Sequence, residues 1–191
     1  MRLIENAILN NCKVLPGDVL KVDHFLNHQI DVNLIYEGAK DFYNSFGDKG
    51  VTKILTVESS GIGIACLTAV HFGAPVLYAK KLFGSNSDDK LYTVPCHSYT
   101  KGTDYNISVS SKYLTADDKV LIIDDFLAGG NALRALIELC SQAGAEVIGC
   151  GVVVEKKYQG GGDAVREMGY EVVSLAKIAS MSAENGIEFC E

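Results

Sequence analysis

Four short runs in this 191-residue chain are apolar almost from end to end and rich in β-branched residues: 52–57 (TKILTV), 75–79 (PVLYA), 119–123 (KVLII) and 147–154 (VIGCGVVV). A strand with one wet face alternates apolar and polar side chains. A run without that alternation belongs to a strand buried on both faces, as parallel sheets require. Residues 170–176 (YEVVSLA) read as a last strand of the same kind.

Amphipathic segments lie between these runs. Asp31 is placed to cap a helix whose Val32, Ile35, Ala39, Phe42 and Phe46 share one face. Ala132, Leu133, Leu136, Ile137, Cys140 and Ala143 share another, and Gly144 ends that helix. Strand and helical patterns in alternation predict an α/β fold, a βα-wound parallel sheet covered by helices. Ligands of such sheets bind where strands end and helices begin. Two regions depart from the pattern. Residues 83–105 are polar and rich in Gly, Ser, Asn and Asp, with hairpin-like character around 91–94, and are expected to form a flexible lid loop. The segment 17–30 (GDVLKVDHFLNHQI) precedes the main sheet, and residues 1–35 are expected to supply a small N-terminal hood to a single domain spanning 1–191.

The bulk properties narrow the function classes. A net charge of −7 argues against a broad nucleic-acid surface, which needs clustered Lys and Arg. No apolar run is long enough to span a bilayer, and no leader pattern stands at the N-terminus, so a soluble, cytoplasmic protein is expected. Six cysteines without a C-x-x-C pair, several inside apolar runs, read as buried thiols of a reduced compartment.

The most informative stretch is 120–133, VLIIDDFLAGGNAL. A buried strand delivers Asp124 and Asp125 to its C-terminal end. A turn of small residues, Ala128, Gly129, Gly130 and Asn131, then opens a helix. Small residues let main-chain N–H groups converge, and the helix N-terminus adds positive potential, which suits a phosphate monoester. Adjacent carboxylates suit ribose hydroxyls, directly or through a divalent cation. A second strand-to-helix turn, Glu58, Ser59, Ser60 and Gly61, offers N–H and hydroxyl groups to further phosphate oxygens. Lys80 and Lys81 end the next strand, and Lys156 and Lys157 end the strand after the main motif.

This arrangement resembles the signature of the type I phosphoribosyltransferases, which fold as a Rossmann-like parallel sheet with a hood and a lid. The resemblance implies that Asp124 and Asp125 contact the ribose of phosphoribosyl pyrophosphate (PRPP), and that Ala128, Gly129, Gly130, Asn131 and Ala132 cradle its 5′-phosphate. Glu58, Ser59, Ser60, Gly61 and Lys81 would handle pyrophosphate. Mg²⁺ would be held mainly by PRPP itself. Ser98 and Tyr99 match a Ser-Tyr pair that closes over the substrate in relatives. Over nearly the whole chain the likeness is to purine enzymes of bacteria that take xanthine, which implies that Leu20 packs on the base, Asn27 meets its polar edge and Lys156 meets a purine oxygen, with Lys157 as the fallback. Many hypoxanthine–guanine members carry Asp at the position of Ala128. That departure leaves the base's N7 proton without an obvious acceptor. Members of the family are commonly homodimers.

Other readings remain open. Hypoxanthine or guanine is the close alternative as substrate, and a non-catalytic PRPP-sensing regulator is another, though no basic helix-turn-helix is present. Gly61 and Gly63 form half of a dinucleotide fingerprint whose third glycine is replaced by Cys66. His24 and His28 stand at i, i+4 without a third ligand in view, His71 reads as packed within a helix, and His97 has no assignment. Gly160, Gly161 and Gly162 read as a turn before a helix near Asp163.

Overall fold

The computed structural model describes residues 2–82, 90–98 and 103–190. An N-terminal helix α1 (Leu3–Asn11) leads to a small antiparallel ribbon, β1 (Lys13–Leu15) with β2 (Val19–Lys21), and a π-helical turn over Asp23–Asn27. There follow α2 (Val32–Phe46), β3 (Lys53–Val57), α3 (Ser60–Phe72), β4 (Val76–Leu82), β5 (Leu91–Ser98), β6 (Thr103–Ser110) and β7 (Lys119–Leu127). The chain continues through α4 (Asn131–Ala143), β8 (Glu146–Lys156), α5 (Gly161–Glu167), β9 (Val172–Ser182) and β10 (Gly186–Phe189). Eight strands form one sheet in the order β10-β9-β8-β7-β3-β4-β6-β5. Its centre, β9 to β4, is parallel, and both edges are antiparallel.

The parallel centre is buried on both faces. Leu121 and Ile123 of β7 join the core beneath α1, α2 and α3, whereas Val120 and Ile122 join the core beneath α4 and α5. Strand pleating sends successive residues to opposite sides. Helix α2 is capped by Asp31, whose carboxylate accepts the Leu34 N–H at 3.0 Å, and it buries Ile35, Ala39, Phe42 and Phe46. Val32 does not belong to that face: at the first helical position it stays 56% exposed. Helix α4 buries Leu133, Leu136, Ile137 and Cys140, and closes on Gly144 in the left-handed region (φ 73°). The hood is anchored by Leu20, Val22, Phe25 and Leu26, all within the α2–α3 core.

Three expectations needed correction. Of the segment read as a long loop, residues 91–98 and 103–105 belong to β5 and β6, which pair antiparallel and extend the sheet from β4, and residues 83–89 and 99–102 lie outside the described residues. The buried apolar residues of the two strands, Val94 and Cys96 on β5 and Ile107 and Val109 on β6, recur every second position among polar neighbours. Pro95 is tolerated because β5 is an edge strand. The last strand extends to Ser182 and is followed by an antiparallel edge, β10. The glycine turn is shorter than expected, since α5 already begins at Gly161.

His71 stacks on Tyr36 (4.3 Å between centroids) and its Nε2 pairs with the Tyr36 carbonyl at 2.9 Å, a packed position as read from sequence. His24 and His28 are exposed, and no cluster of three metal-ligating side chains occurs among the described residues.

Candidate active site

The site lies at the C-terminal ends of β3, β4 and β7. Burial of β7 runs unbroken through Ile123 and includes Asp124, whose side chain is 4% exposed. Asp124 Oδ1 accepts the Asp125 N–H at 3.0 Å, and Asp125 Oδ1 accepts the Phe126 N–H at 2.8 Å. Burial, with the adjacent Asp125 charge, pushes the Asp124 carboxyl well above the usual range, and the Asp125 N–H and the Lys81 charge only partly oppose this.

Past Leu127 the chain turns through Ala128, Gly129 and Gly130, and α4 starts at Asn131. Asn131 Oδ1 accepts from Arg134 Nη2 at 2.5 Å, one turn along the helix. The turn's other side rests on residue 161, whose N–H donates to the Ala128 carbonyl at 3.1 Å.

From the neighbouring strand, β3 delivers Glu58 and Ser59 across a cis peptide bond, and α3 begins at Ser60. Glu58 Oε1 accepts the Lys81 N–H at 2.5 Å, fastening this turn to β4. Alternation along β4 leaves Lys80 exposed and turns Lys81 inward, with its Nζ 5.4 Å from the Tyr105 ring centroid. Burial first, and then a hydrogen bond with Cys96, raise the Tyr105 phenol above its ordinary range.

These pieces enclose one cavity of about 280 Å³. Its walls include Glu58, Ser60, Lys81, Asp124, Asp125, Ala128, Gly129, Gly130, Asn131 and Ala132, so ten residues named from sequence meet at one place. Ser59 and Gly61 adjoin the wall without lining it, Gly61 lying directly against the Thr56 hydroxyl. Val57, Cys96, Tyr105, Phe126, Leu127 and Leu133 complete the wall and were not singled out by sequence. Phe126 stood in plain view between the acids and the glycines. Cys96 and Tyr105 were hidden in the segment taken for a loop.

The residues expected at the base lie toward the hood. Lys156, at the end of β8, donates from Nζ to the Asp18 carbonyl at 2.6 Å and stands 5.9 Å from the Phe126 ring centroid. Half-burial pulls its ammonium pKa below the ordinary lysine value, and the Asp18 charge acts the other way. Leu20 is buried in the core, whereas Asn27 is exposed at the end of the π-helical turn. Lys157 is engaged elsewhere, paired with Asp163. Ser98 ends β5, and Tyr99 lies outside the described residues.

Two adjoining carboxylates supply at most a few oxygen ligands, a donor set that suits a hydrated Mg²⁺ completed by substrate phosphates and not an all-protein metal cage. Among the described residues no helix is long and apolar enough to cross a membrane.

Residues 21–177 match the family described as the phosphoribosyl transferase domain. A xanthine phosphoribosyltransferase of Bifidobacterium animalis subsp. lactis is 52% identical over 191 residues, covering 99% of both chains. One from Ruminiclostridium cellulolyticum is 50% identical over 186 residues, covering 97% of each. Among solved structures, the adenine phosphoribosyltransferase of Giardia lamblia, complexed with 9-deazaadenine, superposes with a TM-score of 0.76 at 22% identity, covering 92% of this chain and 97% of that one. The adenine phosphoribosyltransferase of Trypanosoma brucei gives 0.74 at 16% identity, over 90% of this chain and 78% of that one. At such identities these two likenesses speak for the fold.

Proposed function

Since this chain belongs to the phosphoribosyltransferase family, we propose that it transfers the ribose 5-phosphate of PRPP to xanthine, releasing xanthosine 5′-phosphate and pyrophosphate. The observation that carries the reading is the meeting of ten sequence-named residues around one cavity, joined to 52% identity with a xanthine phosphoribosyltransferase over the full length.

In the reaction a base nitrogen forms a bond to C1′ of the ribose as the C1′–O bond breaks. The electron pair leaves with pyrophosphate, and the base loses its proton to solvent or to the departing phosphates. Ala128 offers no side chain for that proton, so rate enhancement rests on positioning and on stabilising charge. Asp124 and Asp125 hold the ribose hydroxyls and lend negative charge to the ribosyl cation. The N–H groups of residues 128–132 hold the 5′-phosphate. Lys81, with Ser59, Ser60 and Gly61, receives the pyrophosphate, and Glu58 keeps the Lys81 main chain in register. Mg²⁺ would be held mainly by PRPP itself, beside Asp124 and Asp125, and would supply positive charge for the pyrophosphate oxygens.

Phe126 presents an apolar wall beside Lys156, and the purine would lie there under the hood. Lys156 is a donor only, so it favours a base with an oxygen at the edge it meets. Leu20 and Asn27 are the hood's contribution to base choice, and Ser98 with Tyr99 the lid's contribution to excluding water. We place the protein in the cytoplasm, consistent with six free thiols, and expect a homodimer.

A base panel tests this directly. With PRPP and Mg²⁺, xanthine should be turned over in strong preference to guanine, hypoxanthine and adenine. Preference for another base would remove the roles given to Leu20 and Asn27. PRPP binding without turnover of any base would favour a regulator instead.

A further inference from the structure

Glu155 immediately precedes Lys156 on β8 and has no exposed side chain at all. It makes a two-pronged contact with Arg166 of α5, Nη1 to Oε1 and Nη2 to Oε2, each at 2.8 Å. Ser174 Oγ donates to Oε2 at 2.5 Å, and Lys177 Nζ stands 4.0 Å away. Burial alone would favour the neutral acid, but Arg166 and Ser174 outweigh it and hold the carboxyl below its ordinary range. The same guanidinium reaches the Val172 carbonyl at 3.3 Å and lies 3.6 Å from Asp163. None of these groups lines the cavity.

Two neighbouring glycines, 161 and 162, link this cluster to the turn at 128–130. A Cβ at residue 162 would collide with Glu155 Oε1 and lie 2.7 Å from Arg166 Nη1. A Cβ at residue 161 would collide with the Ala128 carbonyl oxygen and lie 2.5 Å from both the Gly129 carbonyl carbon and the Gly130 nitrogen. One glycine is therefore pressed on the buried ion pair and its neighbour on the turn that opens α4. The contact is fastened by the residue 161 N–H donating to the Ala128 carbonyl at 3.1 Å. A main-chain anion cradle works only while its N–H groups are held in one direction. This turn is built of one alanine and two glycines, whose side chains are too small to brace it.

We infer that Arg166 and Glu155 are positioning residues for the turn at 128–130, bracing it through the glycine pair 161–162 so that its N–H groups stay directed at the 5′-phosphate. The inference rests on reading residues 128–132 as the 5′-phosphate loop.

The test compares two ligands on folded protein. Ribose 5-phosphate needs the loop, whereas inorganic pyrophosphate binds at the opposite end of the site. In Arg166→Lys, which keeps the charge but loses the fork, ribose 5-phosphate affinity should fall on the order of tenfold to a hundredfold, as expected for a shift of about 1 Å in a positioning group. Pyrophosphate affinity should stay unchanged, and KM should rise for PRPP but not for xanthine. Gly161→Ala leaves the ion pair intact and pushes on the loop directly, and it should lower the same ratio of affinities. Ser174→Ala removes one hydrogen bond from Glu155 and supplies a milder variant should Arg166→Lys fail to fold. If these folded variants melt lower but bind both ligands as the parent does, the cluster is structural only and the inference falls. If the parent itself fails to bind ribose 5-phosphate while pyrophosphate binds, the phosphate-loop reading falls and the inference falls with it.

Discussion

Asp124 carries a conflict between burial and charge. Its carboxyl is buried beside Asp125 and is held well above the ordinary range. An acid whose folded pKa exceeds its unfolded value favours folding in its neutral form. Stability therefore falls as pH rises from the ordinary carboxylate range through the folded value, and the deficit persists above it. Asp124→Asn imitates the neutral form and keeps an oxygen for the Asp125 N–H. The ligand-free variant should therefore melt higher than the parent at neutral pH, by about 2–4 °C for each kcal/mol regained. The gap should close in acid, below the ordinary carboxylate range. Turnover should fall by about 10²–10³, the scale of losing one preorganised charge-stabilising group. Melting curves from pH 3 to 8 beside initial rates check both halves. An unchanged rate would remove Asp124 from the ribose site. The acids and the glycine turn were legible in sequence because they act where a strand ends, a position that local pattern predicts. The partnership of Lys81 with Tyr105 was not, since it joins two strands that only the sheet brings together.

At the scale of elements, the ends of helices and the edge of the sheet make separate predictions. Asp31 caps α2 through the Leu34 N–H. Asp31→Ala should lower unfolding free energy by about 1 kcal/mol in urea titration, the usual cost of an N-cap. Strand β5 is an edge, and Gln142 of α4 covers part of it. The Gln142 amide accepts from the Thr93 N–H and donates to the Thr93 carbonyl, each at 3.2 Å. Gln142→Ala should cost only about 0.5–1.5 kcal/mol, because water can replace an exposed bond. Its clearer signature is faster hydrogen exchange at the Thr93 amide with little change at Ile107. Helix α2 was readable because five residues between 31 and 46 follow helical spacing, although Val32 proved exposed where the first turn passes the edge of the core. Sequence showed hairpin-like character only around 91–94, and the full extent of β5 and β6 stayed hidden because their buried apolar residues are few and separated by others. Period-two signals are weak over such short spans.

At the scale of the whole molecule, one sheet separates two cores, and both must form for the site to exist. Phe42 is wholly buried in the core beneath α2. Phe42→Ala should cost about 3–5 kcal/mol. Because β7 contributes to both cores, unfolding should remain one transition by fluorescence and by circular dichroism, not split into two. Mg²⁺-PRPP at a hundred times its dissociation constant should add about 2.7 kcal/mol of stability to the parent, and less to Asp124→Asn.

The parallel strands, the acid pair with its glycine turn, the second loop at 58–61 and the capped helices were written in the sequence. Each depends on residues within a few positions of one another, where periodicity, capping and backbone freedom act directly. The tertiary structure alone decided that Lys81 packs against Tyr105, that Lys157 pairs with Asp163, that β5 pairs with β6 along its whole length, and that Glu155 sits behind the phosphate turn. Those outcomes depend on which strand lies beside which and on the phase of pleating where they meet. Contacts between residues far apart in the chain, such as Lys156 with Asp18, leave no local pattern to read.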